Sequence, residues 1–179
     1  AGGFYRYGQT FIAPDFDYRG PRFAFAPMPD QFVLEWMWRN EIKGEKRPLF
    51  VEFILVSSHA GFEVHAPYVA DWGEIGDGSL FHALPALRRP GAWKDPASLS
   101  EAYSTAIVYE WRLLKEFIKT HVAADELIII LGDHQPPGRA AGGDRSASVP
   151  VHLISRNSQA LAGFIDRGHT PGLVPEQPL

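Results

Sequence analysis

The stretch Arg47–Ser58, RPLFVEFILVSS, decides how the chain reads as a fold. It is a nearly unbroken apolar run rich in Val, Ile and Phe. Such a run, without alternation, predicts a strand buried on both faces, as in a parallel sheet. It closes on Ser57, Ser58 and then His59. A second run of the same form, DELIIILGDH, spans Asp125–His134 and stops abruptly at Asp133 and His134 before Pro136 and Pro137. SVPVHLISRN, Ser148–Asn157, reads as a third, shorter strand.

Helices fill the intervals. PDQFVLEWMWRNEIKG places apolar residues at Phe32, Val33, Trp36 and Met37, with Asp30 as cap and Gly44 as stop. The clearest helix starts at a cap on Ser100, with Tyr103, Ile107, Glu110 or Trp111, Leu114 and Ile118 on one stripe, and ends near Thr120. SQALAGFIDRG is a last helix, stopping at Gly168. Between His59 and about Leu99 the chain is irregular and punctuated by WGEIGDGS and RRPGAWKDP, a length that predicts function or short elements of its own. Residues 1–29 are too rich in Pro, Gly and aromatics for long regular structure. Strand, helix, strand, strand, helix is an α/β pattern: a mostly parallel sheet flanked by helices, in one segment covering 1–179. Ligands of such sheets gather outside the carboxyl ends of the strands. Two strands here end there in reactive tails, ILVSSH and IILGDH.

The chain has 179 residues, 45% hydrophobic and 21% charged, enough for one substantial core. A net charge of −4 and the lack of any basic run give no reason to expect nucleic acid as partner. With no cysteine, disulfides, thiolate metal sites and a cysteine nucleophile are excluded. No stretch approaches the roughly 20 apolar residues that cross a bilayer. The opening AGG and the closing PEQPL read as cuts within something longer.

Asp133 and His134 converge only if the chain leaves the strand at Gly132. A carboxylate oxygen with a neutral imidazole nitrogen suits Zn²⁺ or Mn²⁺. The plainer alternative makes Asp133 a turn cap and His134 a loop residue. His59 is either a hydrogen-bonded structural histidine or a donor to an anionic oxygen. Ser58 assisted by His59 lacks both triad spacing and a G-x-S-x-G elbow. Asp15 and Asp17 fit turn chemistry, Asp71, Glu74 and Asp77 a solvated acidic loop, and His152 a structural position in its strand. His65, His82, His121 and His169 form no pattern.

YRGPRFAFAPMPDQF, FILVSSHAGF, DWGEIGDGS, YSTAIVYEWRLLKEFI, LGDHQPPG and VPVHLISRN, in this order, resemble segments of the alkaline phosphatase superfamily. The branch is the sulfatase-like one that includes lipoteichoic acid synthases and phosphoethanolamine transferases. The resemblance implies the C-terminal portion of that fold, in a metal-dependent hydrolase or transferase of phosphate or sulfate esters. It implies Asp133 and His134 as metal ligands, His59 against the phosphoryl or sulfuryl group or a second metal, and Asp30 as a substrate-side acid. SSHAGF departs from the family by lacking a proline after the alanine. The resemblance also implies that the nucleophile and the remaining ligands of a Zn or Mn site lie outside these residues, leaving the segment alone inactive. An extracytoplasmic place follows, with membrane contact only through a region not present. A non-catalytic domain binding an anionic headgroup or glycan is the alternative.

Overall fold

The structure is a computed structural model that describes residues 6–138, 140 and 147–172. The two ends that read as cuts lie outside these residues. Helix α1 runs Asp30–Met37 and widens into a single π turn, Trp38–Ile42, closed by the Lys43 amide on the Trp38 carbonyl. Gly44 at φ +83° then turns the chain away, a conformation that suits glycine. The expected helix and its stop are both in place. The cap is not: Pro29 occupies that position, and Asp30 is the first helical residue.

Within the long irregular stretch, β1 (Val64–His65) and β2 (Leu87–Arg88) form a short antiparallel pair, with Val64 opposite Arg88. Short 3₁₀ turns at Trp72–Ile75 and Ser79–His82 lie between them. Helix α2 spans Pro96–His121 and is capped by Asp95, which accepts from the Ser98 amide and hydroxyl. The cap thus lies five residues ahead of Ser100. Its buried stripe is Leu99, Ala102, Ala106, Tyr109, Glu110, Leu113 and Phe117, one position N-terminal to the stripe expected through Tyr103, Ile107 and Leu114. Apolar residues occupy both stripes, and the small alanines of the inner one let neighbouring chain approach closely.

Strand β3 (Ile128–Leu131) pairs antiparallel with β4 (Val151–Ile154), Ile128 opposite Ile154 and Leu131 opposite Val151. Helix α3 follows at Ser158–Ile165, capped by the Asn157 side chain, and the chain turns at Gly168 with φ +94°. The main core gathers Phe32, Leu34, Trp72, Ile75, Phe81 and Phe117. A second cluster packs Phe62 and Ala92 against Leu99, Ala102 and Ala106 of α2.

These elements correct the expected fold class. The described residues hold two small two-stranded antiparallel sheets and three helices, not a mostly parallel sheet flanked by helices, and so not the alkaline-phosphatase-like arrangement. The cause lies in Leu49–Val56. This segment pairs with no strand among the described residues. Val51, Phe53 and Leu55 pack on the main core, while Phe50 and Ile54 are 77% and 79% exposed. It has the two-residue periodicity of a strand, with one apolar face covered and the other bare. Unbroken hydrophobicity gives no indication of which neighbour a strand pairs with, and that is where the expectation failed.

Candidate functional site

Gly132 leaves β3 without a left-handed φ, and a Cβ there would meet only ordinary contacts with Val149 at 3.5 Å. The turn therefore does not depend on glycine. Beyond it, the His134 amide donates to Asp133 Oδ1 at 2.9 Å. His134 Nδ1 lies 2.7 Å from the Gln135 carbonyl. A carbonyl only accepts, so Nδ1 is the donor of this bond. That Nε2 stands 3.6 Å from Asp133 Oδ2, and both side chains face solvent. The sequence places the two as neighbours, and the turn brings the ring nitrogen and the carboxylate oxygen close together.

His59 lies at the end of the extended segment, in a turn closed by its own amide on the Val56 carbonyl. Its ring stacks on Phe25, with centroids 3.9 Å apart, and Nδ1 meets the Ala60 carbonyl at 3.1 Å. It stands over a small cleft of about 20 Å³, lined also by Phe23, Ser57, Ala60 and His65. Because Leu49–Val56 and β3 belong to no common sheet, the shared sheet edge expected to bring His59 to Asp133 is absent.

Asp30, expected as a helix cap and a substrate-side acid, has a different place. It is 1% exposed. Its Oδ2 accepts from the Val56 amide at 2.9 Å and the Ser57 amide at 2.5 Å. It thus ties the start of α1 to the turn that presents His59, and it faces the site only through that backbone. Burial raises its pKa, opposed by the hydrogen bonds from Ser57 and Val56 and by Glu110.

Glu110, on the buried stripe of α2, completes a set that sequence reading did not assemble. Neither carboxyl oxygen has a partner at full hydrogen-bond geometry, while Asp30 and the Ser58 backbone lie close enough to act on its proton. Burial, reinforced by the Asp30 charge, holds its pKa well above the carboxylate range. Among the described residues, the other buried side-chain polar atoms without a partner are His65 Nε2 and the Tyr109 hydroxyl. The His65 and Tyr109 rings lie 5.8 Å apart. Burial pushes the His65 pKa down, as does the charge of Arg89, against a bond to the Phe62 backbone. The one legible signal was Glu110 itself, an acid on an otherwise apolar stripe.

Among the described residues no group of three or more His, Asp or Glu side chains is arranged to hold a metal ion. Asp133 and His134 offer two donors. No family model matches the chain, and no curated protein and no solved structure is significantly similar to it. The reading of the site therefore rests on its own geometry.

Proposed function

We propose that the chain contributes Asp133 and His134 to a divalent-metal centre, Zn²⁺ or Mn²⁺, that acts on phosphate or sulfate esters as a hydrolase or transferase. His59, which shares no sheet edge with that pair, is proposed separately as a donor to an anionic oxygen at its own pocket. The observation that carries this reading is the 3.6 Å separation of Asp133 Oδ2 and His134 Nε2. Two protein ligands at roughly 2.1 Å from one tetrahedral ion stand roughly 3.4 Å apart. The Gln135 carbonyl supports it further, because an outer partner on Nδ1 fixes the tautomer that leaves Nε2 free to ligate. A carboxylate oxygen and an imidazole nitrogen at this spacing are a donor set that suits a divalent cation.

A bound ion supplies charge stabilisation and activation of a hydroxyl nucleophile. This chain's residues hold and orient: Asp30 fixes the Val56–Ser57 backbone, and Phe25 fixes the plane of His59. Two donors retain an ion only weakly, since such sites use three or four protein ligands. The reading therefore places the remaining ligands and the nucleophile outside the described residues.

The test is a calorimetric titration of the 179-residue chain with Zn²⁺ and Mn²⁺, beside an aryl phosphate assay of the full gene product. Weak binding by the chain, abolished in His134→Ala, and loss of turnover in the same variant of the full protein are expected. Turnover that survives His134→Ala removes the metal reading.

A further inference from the structure

A second pocket lies beside the first, bounded by Pro21–Phe23, by the β1–β2 pair and by Phe81–Ala86, with a volume of about 210 Å³. Half-buried Pro21, Val64, Leu84 and Ala86 form its apolar wall, over Phe23 and Phe81, which are buried and meet edge to face at 6.0 Å. Its rim carries Arg22, Arg88 and His82, and no acidic side chain lines it.

We propose that this pocket is an anion-binding site for the phosphate or sulfate group of a small organic ester, held between the guanidinium groups of Arg22 and Arg88. The inference does not rest on the metal reading. Its first ground is how the local charges are paired. Four arginines crowd this region in a chain of net charge −4. The two outside the pocket are paired, Arg19 with Asp77 at 3.7 Å and Arg89 with Glu101 at 2.6 Å. The two that line it have no carboxylate partner among the described residues. Two unpaired like charges around one concavity repel, and an oxyanion between them reverses the sign of that interaction.

The second ground is that the arginines are held by structure. Val64 and Arg88 are directly opposed across β1–β2, so their side chains project from the same face, and both line the pocket. The Arg89 amide on the Glu63 carbonyl, at 2.7 Å, continues that pairing. On the other rim, His82 Nε2 meets the Arg19 carbonyl at 2.9 Å, which ties the 3₁₀ turn to the segment carrying Arg22. Guanidinium forks match the paired oxygens of phosphate and sulfate, and the half-buried Val64, Leu84 and Ala86 offer the organic part of the ester an apolar wall.

The experiment titrates the protein with inorganic phosphate, with phenyl phosphate, and with phosphatidylcholine vesicles with and without phosphatidylglycerol. Wild type is compared with Arg22→Gln, Arg88→Gln and the double variant, and with Arg19→Gln as a paired-arginine control. Phenyl phosphate should bind more tightly than inorganic phosphate, and each pocket variant should weaken it roughly tenfold. Arg19→Gln and His134→Ala should leave it unchanged, which separates this site from the metal reading. Binding of phenyl phosphate alone assigns a soluble ester, and added binding to the anionic vesicles, lost in the double variant, assigns a lipid headgroup. No binding of any phosphate probe, binding retained in the double variant, or equal weakening by Arg19→Gln overturns the proposal.

Discussion

Glu110 stands on the inner stripe of α2 beside Asp30, and the pair sets how the fold responds to pH. Unfolded, Glu110 titrates in the ordinary carboxylate range; folded, burial and the Asp30 charge place it well above. The folded protein thus keeps a proton that the unfolded chain releases. This contribution is fully present below the ordinary range and is lost as pH rises through the folded value. Urea unfolding across a pH series should show stability falling as the medium is made less acid. Glu110→Gln, which mimics the protonated side chain, should flatten that fall. An unchanged slope in the variant would assign the pH dependence to other groups. In the sequence, Glu110 was visible as a misfit on an apolar stripe, but its partner is 80 positions away at Asp30, and local pattern does not reach that far.

Between elements, α1 and α2 are locked by a buried hydrogen bond. His121 Nε2 lies 3.0 Å from Glu35 Oε2, with both side chains under a tenth exposed, and Arg39 binds the other Glu35 oxygen at 2.8 Å. Trp38, Trp72 and Phe117 enclose the imidazole. His121→Ala removes a buried hydrogen bond and a ring packed among three aromatics, while Arg39 still pairs Glu35, so it should cost about 2–3 kcal/mol in urea unfolding. Asp95→Ala removes only a cap and should cost about 1 kcal/mol. If the two losses were equal, His121 would not be holding a buried pair. The sequence placed all three helices, because a period near 3.6 and a terminal glycine or capping side chain are local signals. It did not find the α1–α2 lock, since a lone histidine in the last turn of a helix reads the same whether it meets a carboxylate or water.

Across the whole molecule, Leu49–Val56 is the segment that distinguishes the observed fold from the expected one. Phe53 faces the core and meets Phe117 edge to face at 6.2 Å, while Ile54 is 79% exposed. Phe53→Ala should therefore cost about 2–3 kcal/mol, and Ile54→Ala should stay within about 0.5 kcal/mol. A strand buried on both faces of a parallel sheet would lose stability at both positions, so equal losses would return the segment to a sheet.

Taken alone, the sequence determined the helices, the turn after Ile128–Leu131 and the adjacency of Asp133 and His134, because each depends on residues within a few positions. Tertiary structure decided the rest. It made β3 and β4 antiparallel, left Leu49–Val56 unpaired among the described residues, turned Asp30 from a cap into an anchor of the Val56–Ser57 backbone, and joined it to Glu110. Strand partners and buried polar contacts are chosen among residues distant along the chain. An apolar run satisfies many such choices equally, and only packing selects one.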